Sequence, residues 1–177
     1  IDTVSRRQYT IRFKNLVTGE ILNTEIKNTT GGAVWANDNK TVYYSRKDEE
    51  TLRSNQIFKH TLGTDPSEDV LVYQEDDETF YTYVFKSKSK KYILIGSDST
   101  MSREFRFASA ARGTTDFKVF QERTRGLEYA VSHYDDAFYI QTNKDKATNF
   151  KVMRTPEYQT AMQHWEDLIP HREDTLI

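Results

Sequence analysis

An internal repeat of about 45–50 residues constrains the fold of this chain more than any other feature. Val72-Tyr73-Gln74-Glu75 returns 47 residues later as Val119-Phe120-Gln121-Glu122. Phe13-Lys14-Asn15-Leu16 returns 45 residues later as Phe58-Lys59-His60-Thr61. An apolar triplet after a polar turn occurs three times at a similar spacing: Val42-Tyr43-Tyr44, Ile93-Leu94-Ile95 and Phe138-Tyr139-Ile140. Because the motifs keep the same order, they indicate repeated structural units.

Each full period predicts four short strands. Of the 177 residues, 10 are Phe, 11 are Tyr and 2 are Trp, and aromatic residues favour strands. A four-stranded antiparallel unit that repeats every ~40–50 residues is typical of a β-propeller blade, whereas a β-sandwich gives no reason for such a repeat. The predicted strands are residues 9–16, 20–26, 33–36, 41–46, 55–60, 69–74, 81–86, 91–97, 103–108, 117–121, 128–133, 137–143, 149–154 and 167–171.

The predicted fold is therefore all-β, a partial β-propeller of about three and a half blades. We expect one domain over residues 1–177, made of a half blade at 1–29 and blades at 30–79, 80–126 and 127–177. A closed propeller usually needs at least four blades, so we expect the chain to be a piece of a larger propeller. Residues 157–168 have helical character and suggest an insertion before the last strand.

Composition excludes several classes of function. The formal net charge is −2, which argues against a nucleic-acid or membrane-surface partner. There are no cysteines, so disulfides, thiolate metal sites and cysteine nucleophiles are ruled out. No apolar run approaches the ~18 residues of a membrane span, and residues 1–20 lack a signal-peptide profile. These features favour a cytoplasmic location.

Catalytic motifs are missing from the sequence. The glycines stand at 19, 31, 32, 63, 96, 113 and 126, so no Gly-x-Ser-x-Gly nucleophile motif can be written. The histidines at 60, 133, 164 and 171 lack metal-ligand spacing. A propeller glycosidase would need paired carboxylates on inner strands, and no convincing pair is present. We therefore predict no catalytic residue, metal or cofactor in this chain.

Charged clusters are the remaining candidates for binding. Arg6-Arg7 could hold a substrate carboxylate or pair with a neighbouring acidic loop. Asp48-Glu49-Glu50 and Glu75-Asp76-Asp77-Glu78 could bind a cation or a basic substrate, or form solvated loops. The lysine-rich stretch at residues 86–91 could contact phosphate or form a solvated turn.

Several longer strings run in order over essentially the whole chain: Ser5-Arg6-Arg7-Gln8-Tyr9, Val34-Trp35-Ala36-Asn37-Asp38, His60-Thr61-Leu62-Gly63-Thr64, Glu68-Asp69-Val70-Leu71-Val72-Tyr73, Asp77-Glu78-Thr79-Phe80, Phe138-Tyr139-Ile140 and Leu168-Ile169-Pro170-His171-Arg172. Together these strings resemble the oligopeptidase B (protease II) family of the prolyl oligopeptidase group.

The resemblance implies a seven-bladed propeller that caps an α/β-hydrolase domain with a Ser-Asp-His triad. It also implies that the parent cleaves short basic peptides after Arg or Lys, with the propeller excluding folded proteins. The family's triad and specificity residues belong to the hydrolase domain and have no counterparts in this chain. The leading hypothesis is thus a non-catalytic propeller segment of a serine oligopeptidase, and the alternative is a free-standing protein-interaction propeller.

The strand map also predicts a docking face. Loops joining the second and third strands of a blade lie on the same face as loops joining successive blades. We expect Arg53, Glu75, Glu78 and Arg123 to form ion pairs across the boundary with the hydrolase domain, with Arg6-Arg7 nearby. We also expect the isolated chain to self-associate through bare terminal blade faces carrying Ile11, Phe13, Ile21, Phe138, Ile140 and Val152.

Overall fold

The computed structural model describes residues 1–2, 5 and 7–177. Nearly all of its regular structure is β. Three short 3₁₀ turns at Pro66–Glu68, Lys144–Lys146 and Met162–His164 interrupt the strands, and no helix of the described part is long and apolar enough to span a membrane. The thirteen strands are β1 (Tyr9–Lys14), β2 (Ile21–Trp35), β3 (Thr41–Lys47), β4 (Ser54–Thr61), β5 (Val70–Gln74), β6 (Tyr81–Lys86), β7 (Tyr92–Asp98), β8 (Arg103–Ser109), β9 (Lys118–Val119), β10 (Tyr129–Tyr134), β11 (Ala137–Thr142), β12 (Lys151–Pro156) and β13 (Glu166–Ile169).

These strands form three antiparallel sheets in chain order. Sheet A contains β1 to β5, sheet B contains β6 to β9, and sheet C contains β10 to β13. Within each sheet, every strand pairs with the next one in the sequence, as in the meander of a propeller blade. The all-β prediction is confirmed, and the three sheets are consistent with part of a propeller.

One predicted strand boundary is wrong. The predicted strands 20–26 and 33–36 are parts of the single strand β2, which pairs with β1 along its first half and with β3 along its second. An irregularity between Thr29 and Ala33 lets β2 turn without ending. Gly31 makes this possible, since its φ is +87° and a Cβ there would lie 2.9 Å from the Tyr9 ring. The chain therefore has thirteen strands instead of fourteen over the described residues.

The helical character expected for residues 157–168 is also not observed. This segment contains a 3₁₀ turn and most of strand β13. Trp165 is buried and donates from its Nε1 to the Thr160 carbonyl at 2.7 Å, and the Met162 amide donates to Gln121 at 2.6 Å. Tertiary anchoring of Trp165 thus overrides the local helical pattern.

Three apolar clusters hold the sheets together. The largest joins sheets B and C and contains ten buried residues, among them Phe105, Phe120, Phe138 and Trp165. The second packs β1 and β2 against β3, with Phe13 and Tyr44 at its centre. The third, which includes Tyr43, joins sheets A and B and is smaller.

The terminal faces are less bare than the sequence predicts. Phe138 and Ile140 are fully buried because they face sheet B, and Phe13 is buried against β3. Ile11 and Val152 are half-buried, and of the six expected residues Ile21 alone is exposed. The alternation of strand side chains therefore directs the large apolar residues inward, and the expected composition of the self-association surface is wrong.

Candidate functional site

Five of the six loops expected on the docking face lie next to one another, whereas the sixth, residues 27–32, lies within strand β2. We call this surface the loop face, formed by residues 47–54, 75–80, 98–102, 122–128 and 143–148. Hydrogen bonds link its loops in series. Gly126 donates its amide to Ser102 Oγ at 3.0 Å, and Asn143 donates its side-chain amide to the Gly126 carbonyl at 2.9 Å. These bonds fix the loops relative to one another across the sheets.

Arg53 fastens sheet A to the start of sheet B on this face. Its guanidinium donates to the backbone carbonyls of Glu75, Asp77 and Phe80 at 3.2, 3.1 and 2.7 Å. Because three carbonyls occupy its donors, Arg53 organises the turn between β5 and β6 from within the chain.

Glu75 and Arg123 form the central ion pair of the loop face. Arg123 Nη2 lies 2.6 Å from Glu75 Oε2, and the Tyr73 hydroxyl donates to the same oxygen at 2.7 Å. The guanidinium also lies 3.7 Å from the centre of the Phe80 ring. Burial opposes ionisation of Glu75, but the bonds from Arg123, Tyr73 and Ser97 outweigh it and lower the pKa of Glu75. The pair joins the ends of two successive repeat units, 48 residues apart.

Glu78 behaves differently from these residues. It is exposed and, across the described part of the chain, has no hydrogen-bond or ion-pair partner. Nearby, Asp77, Met101, Arg123 and Arg125 line an open cleft of about 620 Å³. Glu78 and the exposed Arg125 are therefore charges that this face leaves available to another surface.

Arg7 lies close to the loop face, whereas Arg6 is outside the described residues. The Arg7 carbonyl accepts a 2.7 Å hydrogen bond from Lys47, and its amide donates to Asp2 at 2.8 Å. The side chain of Arg7 is exposed. The structure thus places one half of the predicted arginine pair near residue 47, with its guanidinium toward solvent.

The acidic runs are used mainly for local turn structure. Asp48 accepts hydrogen bonds from the amide and hydroxyl of Thr51, at 2.7 and 2.8 Å. Asp77 does the same for Thr79. Among the described residues no group of three histidine, aspartate or glutamate side chains could hold a metal ion.

Sequence reasoning missed a polar cluster on the opposite face, where sheets B and C meet. His133 lies 2.8 Å from Ser89 Oγ and 3.2 Å from Glu157 Oε2, and Glu157 pairs with Lys91 at 2.6 Å. The set contains a serine, a histidine and a carboxylate, but the His133 side chain has no exposed surface. A buried imidazole cannot reach a substrate, so the cluster joins sheets rather than performing catalysis. Three of these residues are separated by more than 20 positions, so no local motif signals the cluster.

Comparison with known families agrees with this architecture. Residues 1–177 match the model of the prolyl oligopeptidase N-terminal beta-propeller domain. The chain belongs to this family. It is 44% identical over 176 residues to dipeptidyl aminopeptidase BI of Pseudoxanthomonas mexicana, and 31% identical over 183 residues to Protease 2 of Moraxella lacunata. These alignments cover 99% and 96% of the chain but 24% and 26% of the relatives, so the chain spans about a quarter of their length.

Solved structures give the same result. Oligopeptidase B from Leishmania major superposes with a TM-score of 0.91 at 28% identity, over 97% of this chain and 24% of that one. Oligopeptidase B from Trypanosoma brucei, with covalently bound antipain, superposes with a TM-score of 0.84 at 29% identity, over 94% and 23%. The family resemblance predicted from the sequence is confirmed, and the chain corresponds to the non-catalytic propeller of these peptidases.

Proposed function

We propose that this chain is the propeller segment that controls substrate access to the α/β-hydrolase domain of a serine oligopeptidase. The observation that carries the proposal is the loop face, where internally paired charges hold the loops in place and leave Glu78 unpaired. A polar surface of this kind suits an interface between domains that must open and close. We further propose that sheet B and sheet C are two blades of a seven-bladed ring, with the divisions near residues 29, 79 and 126.

Two substrate specificities are candidates for the parent protein. Cleavage of short peptides after Arg or Lys is supported by the resemblance to oligopeptidase B and by the superposition on two such enzymes. Removal of dipeptides is supported by the 44% identity to a protein named dipeptidyl aminopeptidase BI. Blocked and unblocked Arg-containing peptides distinguish them, because an aminopeptidase requires a free N-terminus and an endopeptidase does not.

The non-catalytic role is tested on the purified chain. We expect no hydrolysis of a short Arg-containing ester or amide, since no nucleophile motif is present. Hydrolysis that is lost with a serine-directed inhibitor would contradict the proposal. In the parent protein, a downstream Gly-x-Ser-x-Gly followed by Asp and His would support it, whereas a parent without a hydrolase domain would favour the protein-interaction alternative.

The docking role of the loop face is tested at Glu78 in the parent protein. Arg53, Glu75 and Arg123 remain candidates for contacts across the domain boundary, but reversing their charge would also disrupt the loops they hold. Glu78→Lys avoids this because Glu78 has no partner within the described residues. Glu20→Lys is the matched control, since Glu20 is an exposed glutamate in the turn between β1 and β2.

We expect Glu78→Lys to alter peptide turnover while leaving the melting temperature unchanged, and Glu20→Lys to alter neither. Each exposed ion pair contributes only ~0–1 kcal/mol, so the expected change in turnover is a few-fold. Equal turnover in both variants would mean that Glu78 does not face the hydrolase domain.

Self-association of the isolated chain stays a proposal. The large apolar residues first expected on its surface are mostly buried, which leaves Ile21 of β2 and Leu168 and Ile169 of β13 as exposed candidates in the two terminal sheets. Light scattering at micromolar concentration tests it. A monomer throughout that range would contradict the proposal.

A further inference from the structure

The three methionines of the chain differ in their access to solvent. Met153 is 3% exposed, and Met162 is half-buried against the apolar cluster that joins sheets B and C. Met101, in the loop between β7 and β8, is 55% exposed. Because an oxidant in solution must reach the sulfur atom of a methionine to react with it, Met101 is the methionine that the fold leaves open to oxidation.

The loop between β7 and β8 keeps Met101 at the surface. The two ends of the loop are joined by an ion pair between Asp98 and Arg103, at 3.4 Å. Inside this pair, the Ser99 amide donates to the Ser102 carbonyl at 2.9 Å, and the Ser102 side chain is buried. Met101 lies at the centre of the turn, between these fixed ends. Its exposure is therefore a consequence of how the loop is held and not of an unfastened backbone.

Met101 lines the open cleft of about 620 Å³ on the loop face. Phe80 lines the same cleft, and the guanidinium of Arg123 covers its ring at 3.7 Å. Methionine is unbranched and flexible, and its thioether packs well against irregular surfaces. Met101 thus offers an apolar, adaptable contact within a face that otherwise carries mainly charged and polar side chains.

We propose that Met101 is a modification site, oxidised to methionine sulfoxide by hydrogen peroxide or an organic hydroperoxide. The sulfur attacks one peroxide oxygen, the O–O bond breaks, and that oxygen stays on the sulfur. The sulfur gives up two electrons, and the other peroxide oxygen leaves as water or as an alcohol. A dithiol reductase reverses the change, since its two thiols form a disulfide while the sulfoxide oxygen leaves as water.

Oxidation changes what Met101 offers to a surface that docks on the cleft. The sulfoxide is polar and chiral, so it replaces an apolar contact with a group that must be desolvated. We expect the modification to weaken docking of the hydrolase domain and so to lower peptide turnover. This consequence rests on the proposed function of the loop face, whereas the reactivity of Met101 does not.

Reactivity is tested by treating the 177-residue chain with hydrogen peroxide and following each methionine by peptide mass spectrometry. We expect Met101 to be oxidised several times faster than Met162, and Met153 to react most slowly. The same chain unfolded in urea is the control, because all three sulfur atoms are then accessible and should react at similar rates. Equal rates in the folded chain, or a preference for Met101 that persists in urea, would overturn the assignment.

The consequence is tested in the parent protein by measuring turnover of a short peptide before and after peroxide treatment. We expect a few-fold loss in the unmodified protein and in the matched control Met162→Leu, and a smaller loss in Met101→Leu. A methionine sulfoxide reductase should restore the lost turnover. Met101→Gln, which places a polar side chain at the site, should lower turnover without peroxide and provides a second test if Met101→Leu fails to fold, as judged by its melting temperature.

Two results would overturn the proposed consequence. One is an equal loss of turnover in the unmodified protein and in Met101→Leu, and the other is no loss in either. If Glu78→Lys still alters turnover in that case, the loop face docks the hydrolase domain but Met101 does not regulate it. If Glu78→Lys is also without effect, the docking role of the loop face fails as well.

Discussion

The two junctions between sheets are built in opposite ways. Sheets A and B meet around a small apolar cluster and are joined by many polar bonds, among them Tyr43 to Thr114, Asp38 to Gly113 and Glu75 to Arg123. Sheets B and C meet through an apolar core of ten buried residues, five of which are aromatic. Burial is non-directional and depends on shape and volume, whereas hydrogen bonds and ion pairs depend on geometry and ionisation. The A–B junction should therefore respond to pH and charge, and the B–C junction to changes in side-chain volume.

Truncating a buried side chain at the B–C junction should cause the largest loss of unfolding free energy. Phe138 is fully buried and contacts Tyr92, Phe107, Phe120 and His133. We expect Phe138→Ala to lower the free energy of unfolding by about 3–5 kcal/mol, as truncation of a buried aromatic residue leaves a cavity. Urea denaturation measures this, with the half-buried neighbour Tyr139→Ala as the control. A loss below that of the control would show that the aromatic core does not hold this junction.

Removing one charge from the A–B junction should cause the next largest loss of unfolding free energy. Glu75→Gln preserves the shape of the side chain but weakens its bonds to Arg123 and Tyr73. We expect a loss of about 1–3 kcal/mol, the usual cost of disrupting a hydrogen bond to a charged group. Glu78→Gln, at an exposed and unpaired position, should cost almost nothing. Equal urea midpoints for the two variants would mean that the ion pair contributes no stability.

Acid should weaken the same junction. Burial raises the pKa of Asp38, but bonds from the Lys40, Thr41 and Gly113 amides and the Thr41 hydroxyl outweigh it and lower the pKa to about 2. Because the folded pKa lies below the unfolded value, the stabilisation is present above pH ~4 and is lost as the pH falls toward 2. After allowance for solvent screening, we expect about 1–2 kcal/mol over this interval. Urea midpoints from pH 5 to pH 2, compared with Asp38→Asn, measure it, and parallel curves for the two proteins would contradict it.

Much of the fold could be predicted from the sequence because repeated motifs are local patterns. Strand periodicity located the sheets, and the turn positions placed Arg53, Glu75 and Arg123 on one face. The pairing of Glu75 with Arg123 could not be predicted, since both residues lie in charged loops and their contact depends on how successive units stack.

Other features depend on three-dimensional context. Strand β2 continues through Gly31 because the glycine adopts a positive φ and packs against the Tyr9 ring. The periodicity of the sequence does not reveal this contact. The sequence also does not show which side of sheet C carries Phe138. The register of β10 and β11 is needed to see that this side chain faces sheet B.

The smallest loss of unfolding free energy is expected when a charge is removed from the ion pair at the edge of the B–C junction. Glu157 pairs with Lys91, and both side chains are partly exposed, at 25% and 48%. The bond from Lys91 lowers the pKa of Glu157, with Tyr92 and His133 adding to it, but solvent screens such a pair. We expect Glu157→Gln to cost less than about 1 kcal/mol, because the aromatic core beneath it remains intact. Glu75→Gln, the same chemical change at the other junction, should cost more under identical buffer conditions. If urea denaturation shows a larger loss of unfolding free energy for Glu157→Gln than for Glu75→Gln, polar bonds stabilise both junctions. The proposed difference between the two junctions would then be wrong.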